Sequence, residues 1–229
     1  MDIKDNKHVA MIAGATGLVG NELIKQLLEE DAISHVYALT RKPLPYFHSK
    51  LESIQTSDLS TPHWHDENAN PDIGFICLGT TLKQAGSKKA LFEVDCELVC
   101  NLAKQMKQLG VKRLAVVSSL GASHRSFSHY LRCKGQMENT IKPMGFDQVT
   151  FVRPGPLKGL RDIPRADETV VQMILKLLHP IMIGKLANFN PIEANDVARA
   201  MLLSNLTRSP THFVTLSTIQ IRNFIHSYA

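Results

Sequence analysis

The sequence predicts an α/β fold with a doubly wound, mostly parallel sheet of about seven strands. Three observations predict it. Short apolar runs alternate with segments whose apolar residues recur at helical spacing, the pattern of right-handed crossovers between parallel strands. The first apolar run closes on a glycine triplet that opens directly into a helix. No repeat, low-complexity segment or long linker interrupts the alternation across 229 residues.

Residues 9–13, Val-Ala-Met-Ile-Ala, read as a short buried strand, and residues 21–28 as the first helix. The second strand spans 35–40 and stops at Arg41-Lys42-Pro43. A weaker strand over 51–54 leads to Thr56, Ser57, Asp58 and Leu59, and a clear strand over 72–78 closes on Gly79-Thr80-Thr81. Residues 91–109 hold helical spacing as one long helix, with Gly110 as its stop signal. A buried strand over 113–118 precedes a helix over 129–141, which Lys142-Pro143 and Gly145 end. The strand 148–152 ends at Arg153-Pro154-Gly155. Residues 156–191 are irregular, rich in Pro, Gly and Lys/Arg around an apolar helix at 169–178. A helix over 196–203, a last strand over 211–216 and a short helix through Phe224 and Ile225 complete the chain.

Composition is 44% hydrophobic and 21% charged, which suits a single domain over 1–229 with 156–191 as a variable substrate-side or lid segment. The formal charge of +5 is spread along the chain; an anionic cofactor or substrate would explain it, and so would chance. No basic stripe with interleaved aromatics and no zinc-finger spacing occurs, which argues against nucleic acid. The polar N-terminus lacks a secretory apolar core. The longest apolar stretch, 169–183, is broken by Gln172, Lys176, His179 and Pro180, so no membrane span is expected. These features predict a cytoplasmic chain. Cys77, Cys96, Cys100 and Cys133 form no C-x-x-C pair and read as buried reduced thiols. His63 and His65 fall in a polar loop, and no metal site is expected.

The triplet Gly14-x-x-Gly17-x-x-Gly20 stands where a dinucleotide-binding loop would stand, with a plain structural turn as the alternative. Glycine lets the backbone approach a pyrophosphate closely, and the free amides of the new helix attract the anion. At the end of the second strand an NAD enzyme usually offers a carboxylate to the ribose. This chain offers Arg41 and Lys42, which suit a 2′-phosphate, so NADP(H) is favoured over NAD(H); a solvated loop is the alternative. Tyr130 and Lys134 lie four residues apart and share a helix face. A tyrosine next to a lysine is a better proton shuttle than a free phenol, whose pKa is near 10. The preceding strand ends in Ser118-Ser119, where a hydroxyl could hold a substrate carbonyl oxygen. The alternative is a surface tyrosine on an ordinary amphipathic helix.

These motifs, with residues 74–81, 118–122 and 151–155 and Asp196-Val197-Ala198, run in one order along most of the chain. Together they resemble the atypical, extended-like short-chain dehydrogenases/reductases, a Rossmann-type family, and among them the Tat-interacting-protein family of NADPH-binding proteins and its bacterial relatives. The resemblance implies that Gly14, Thr16, Gly17, Leu18 and Val19 wrap the pyrophosphate and that Arg41 and Lys42 meet the 2′-phosphate. It implies that Asp58 and Leu59 flank the adenine, and that Leu78, Gly79 and Thr80 line the path to the nicotinamide ribose. Lys134 would bind that ribose and tune Tyr130, Pro154 and Gly155 would close over the nicotinamide, and Ser119, rather than Ser118, would hold the carbonyl oxygen. Two departures stand out. Val94-Asp95 occurs where extended members commonly carry Val-Asn, which weakens that helper role, and the Ser119–Tyr130 spacing is shorter than in well-characterised epimerases.

The function this predicts is NADP-dependent reduction of a small-molecule carbonyl, with Tyr130 as general acid. The apolar helix at 169–178 would line a hydrophobic pocket, form a homodimer interface or pack on the sheet. A cofactor-binding regulatory adaptor that engages a protein partner is the alternative from another class. A nucleotide-sugar epimerase is the weaker third, because few residues follow Gly155 to build a sugar-nucleotide lobe.

Overall fold

The computed structural model describes residues 7–61, 64, 68–158 and 184–228. Seven parallel strands form one sheet: β1 (His8–Ala13), β2 (Ile33–Thr40), β3 (Leu51–Gln55), β4 (Ile73–Ile76), β5 (Arg113–Val117), β6 (Gln148–Arg153) and β9 (Phe213–Ser217). Their spatial order is β3-β2-β1-β4-β5-β6-β9. The chain therefore winds outward from β1 in one direction, returns, and winds outward from β4 in the other. The crevice between β1 and β4 is the switch point at which open parallel sheets bind ligands. Ala13 is in register with both Leu39 and Ile76, so the loops after β1, β2 and β4 leave the sheet level with one another.

The central strands lack polar alternation because both faces are covered, whereas the edge strands β3 and β9 are partly exposed. Along β1, Ala10 and Ile12 belong to a core shared with the helix α1 (Leu18–Glu29), while Met11 and Ala13 face the other side. β2 repeats the division, with Val36 and Ala38 on the first side and Tyr37 and Leu39 on the second. The first core also takes in Val197, Met201 and Leu202 of the helix α6 (Ala194–Leu206). The second takes in Val99, Ala103 and Met106 of α4 (Val99–Gln108), and Met137 and Ile141 of α5 (His129–Ile141). The terminal helix α7 (Thr218–His226) follows β9 and opens with a Ser217/Gln220 capping box.

Three expectations need correction. The first helix begins at Leu18, three residues early, so Leu18, Val19 and Gly20 belong to the helix and not to the loop before it. The long helix expected over 91–109 is composite: after the short α2 (Leu82–Ala85), α3 (Lys88–Phe92) runs into a π turn (Glu93–Leu98) and then α4. Apolar spacing averaged over the stretch does not reveal one wider i→i+5 turn within it. Finally, the start of the irregular segment pairs with the residues that follow it, β7 (Leu157–Lys158) lying parallel to β8 (Ile192–Glu193). Strands of two residues are too short to leave a periodic trace. The apolar helix expected at 169–178, Arg161 and Arg165, and His63 and His65 lie outside the described residues. Among the described residues no helix is long and apolar enough to cross a membrane.

Candidate active site

The glycine loop is built by close backbone approach. Gly14 has φ +92°, and a Cβ there would lie 2.8 Å from the Cys77 carbonyl carbon across the switch point. A Cβ on Gly20 would lie 2.0 Å from the Gly14 oxygen, so the first turn of α1 rests directly on the loop. Gly17 caps α1 in extended backbone with no side-chain hydrogen bond, and the first turn carries no acidic residue. The leading amides of α1 therefore face the crevice without a capping side chain or competing carboxylate, which fits the pyrophosphate of a dinucleotide.

Above the carboxyl ends of β1, β4, β5 and β6 lies a cavity of about 1150 Å³. That is slightly above the ~300–1,000 Å³ usual for small-molecule sites. Eleven of the expected site residues line it: Gly17, Leu18, Val19, Leu78, Gly79, Thr80, Ser119, Tyr130, Lys134, Pro154 and Gly155. The remaining six do not. Gly14 lies beneath the loop, and Thr16 is exposed beside it. Arg41 and Lys42 are exposed after β2, on a turn fixed by the Thr40 hydroxyl, which donates to the Lys42 carbonyl at 2.5 Å. Asp58 is exposed, whereas Leu59, at φ +62°, buries its side chain in the core.

Lys134 is buried on the cavity floor, with its side chain 1% exposed. Its Nζ lies 2.7 Å from Oδ1 of Asp95, whose side chain is 0% exposed, and donates to the carbonyls of Leu78 and Val117 at 3.3 Å. The other Asp95 oxygen accepts the Thr80 amide at 2.9 Å. Tyr130 is half-buried one turn before Lys134, and both line the cavity.

One turn further, Glu138 continues the same helix face and is also buried. It accepts the Ser118 hydroxyl at 2.5 Å and both Nε, at 2.8 Å, and Nη2 of Arg153. The hydrogen bonds that Arg153 donates to Glu138, against the opposing pull of burial, hold its guanidinium above its ordinary pKa. This carboxylate anchors the turns after β5 and β6 together. It also separates the two serines. Ser118 is committed to Glu138, while among the described residues the Ser119 hydroxyl has only a long contact, 3.4 Å, to the Leu120 carbonyl. Cys77 lines the cavity too, but its thiol turns toward Met201 Sδ at 3.9 Å, and burial pushes its pKa up to about 12. It is no nucleophile near neutral pH.

Asp95 and Glu138 are the residues that reading the sequence missed. Asp95 was visible only as a departure from Val-Asn, and Glu138 only as a residue four after Lys134.

A family model described as NAD(P)H-binding matches residues 14–204. The chain belongs to the NAD(P)H-binding family. It is 32% identical over 205 residues to "Protein fmp52, mitochondrial" of Aspergillus clavatus, covering 87% of each chain. It is 31% identical over 198 residues to "Protein FMP52, mitochondrial" of Candida albicans, covering 83% of this chain and 85% of that one. Among solved structures it superposes on MoeE5 in complex with UDP-glucose and NAD with a TM-score of 0.66 at 18% identity, covering 96% of this chain and 82% of that one. At that identity the likeness is one of fold, a Rossmann-type parallel sheet. The names of these family members overturn the expectation of a cytoplasmic chain. The absence of a secretory apolar core cannot specify the cytoplasm, because mitochondrial leaders are amphipathic and basic, without such a core.

Proposed function

We propose that this protein is an NADP-dependent oxidoreductase that reduces the carbonyl group of a small or hydrophobic substrate. The observation that carries the reading is the convergence of Tyr130, Lys134 and an uncommitted Ser119 hydroxyl on one cavity, beside a glycine loop with open amides. Bound NADPH would supply the hydride that reduces the carbonyl carbon. Tyr130 gives its phenolic proton to the carbonyl oxygen as the alcohol forms, and solvent at the cavity mouth returns a proton to it. Ser119 donates a hydrogen bond to the same oxygen and orients it. Lys134 holds the ribose hydroxyls on the cavity floor, while Pro154 and Gly155 wall the nicotinamide side. Gly14, Thr16, Gly17, Leu18 and Val19 take the pyrophosphate, and Leu78, Gly79 and Thr80 border the ribose. Asp58 and the Leu59 backbone flank the adenine.

The preference for NADP(H) rests on Arg41 and Lys42, two exposed cations after β2, where an NAD site would offer a carboxylate. The test is NADPH oxidation followed with a panel of aldehydes, ketones and quinones. The reading expects steady consumption with at least one class. Tight NADPH binding with no consumption across the panel would overturn it in favour of a cofactor-binding regulator.

A further inference from the structure

We infer that Asp95 is a positioning residue of this site, acting through Lys134 and the loop at 78–80; this rests on the reading of Lys134 as a cofactor-side lysine. Lys134 and Asp95 are both buried, and a buried ammonium is tolerated only with a counter-charge and acceptors. Lys134 Nζ forms an ion pair with Asp95 Oδ1 at 2.7 Å, outside hydrogen-bond geometry, and donates hydrogen bonds to the Leu78 and Val117 carbonyls at 3.3 Å. The ionic contact is short and the carbonyl contacts are long. Lys134 can therefore exchange a carbonyl for a ribose hydroxyl and remain anchored to Asp95.

The second Asp95 oxygen holds the Thr80 amide, so one carboxylate registers the lysine and the loop beside it. Gly79 lies between them: a Cβ there would be 3.5 Å from Asp95 Oδ1 and 3.7 Å from Lys134 Nζ. Asp95 sits in the π turn Glu93–Leu98, and such single wide turns recur at functional sites. An asparagine could accept the Thr80 amide but would bring no charge to the ammonium. The Val94-Asp95 departure is on this account an exchange of a neutral helper for a direct ionic anchor.

A double-mutant cycle on cofactor affinity tests the assignment. NADPH is titrated into the wild type, Asp95→Asn, Lys134→Met and the double variant, with thermal melts alongside. Each single variant should bind NADPH roughly tenfold more weakly, the scale of one hydrogen bond to a charged group. The double variant should bind no more weakly than Lys134→Met alone. Wild-type affinity in Asp95→Asn, or losses that add in the double variant, would overturn the proposal, since a merely structural aspartate gives one or the other. If Asp95→Asn strands a buried charge and fails to fold, Asp95→Glu is read instead, since it keeps the pair and shifts it by a methylene. Weaker NADPH binding at an unchanged melting temperature supports the proposal, and unchanged affinity contradicts it. The cycle reads binding alone, so a failure to find a carbonyl substrate leaves it standing. Wild-type affinity in Lys134→Met would remove the lysine from the cofactor site and the proposal with it.

Discussion

At the scale of single residues, the site divides into side chains that face the cavity and buried carboxylates behind them. Tyr130, Ser119 and Lys134 belong to the first group; Asp95, paired with Lys134, and Glu138, bound to Ser118 and Arg153, belong to the second. The first group was legible because its chemistry is local: positions four apart share a helix face, and a serine pair ends a strand. The second was not, because a buried carboxylate is defined by its partners. Asp95 meets Lys134 from 39 residues away, a distance that only the fold closes. Arg41 offers a test at this scale. Arg41→Ala should weaken NADPH binding by roughly ten- to a hundredfold, the scale of a charge-assisted phosphate contact, and leave NADH binding unchanged. Parallel titrations with both cofactors check it, and equal losses for the two would remove the 2′-phosphate contact.

At the scale of elements, the loop after β1 and the helix α1 act as one unit. Gly20 lies in α1, where alanine would ordinarily be the better helix former by about 1 kcal/mol. Here its Cβ would lie 2.0 Å from the Gly14 oxygen, and backbone is what it would meet. Gly20→Ala is therefore expected to lower stability, by about 1–3 kcal/mol or more, and to abolish NADPH binding. Urea unfolding and a cofactor titration check it; a stabilised variant that still binds NADPH would contradict the packing. Element boundaries were legible where breakers mark them. The helix expected over residues 129–141 coincides with α5 because Lys142-Pro143 and Gly145 end it. The helix expected over 91–109 was legible only in outline, since its π turn leaves the apolar spacing almost intact.

At the scale of the whole molecule, the sheet joins two ends with different work. The carboxyl ends of the strands carry the cavity. The amino ends carry a polar cluster in which His8 Nδ1 lies 2.5 Å from Asp72, the Val9 amide donates to Asp72 at 2.9 Å, and Arg113 of β5 stands 4.0 Å away. Burial opposes ionisation of Asp72, but the hydrogen bonds from His8 and Val9 and the charges of His8 and Arg113 outweigh it and hold its pKa below the ordinary carboxylate value. A depressed folded pKa contributes stability that is present above the unfolded value, near 3.9, and is lost as pH falls through the folded value. Asp72→Asn should therefore be less stable than wild type at pH 7, with the difference shrinking as pH is lowered below about 4. Urea midpoints measured across that range check it, and a difference that grows on acidification would contradict it. The doubly wound parallel sheet was legible because unbroken apolar runs alternating with helices admit few topologies. The β7–β8 pair was not, and the polar N-terminus misdirected the expectation of cellular location.

The central claim is that Tyr130 donates the proton in a carbonyl reduction while other residues hold the cofactor. The most direct measurement is Tyr130→Phe, assayed by NADPH titration and by single-turnover oxidation of bound NADPH with a carbonyl substrate found in the panel. The account predicts NADPH affinity within about twofold of wild type, with turnover reduced by at least a hundredfold, the low end of what general acid catalysis contributes. Turnover that survives the loss of the phenol would contradict it.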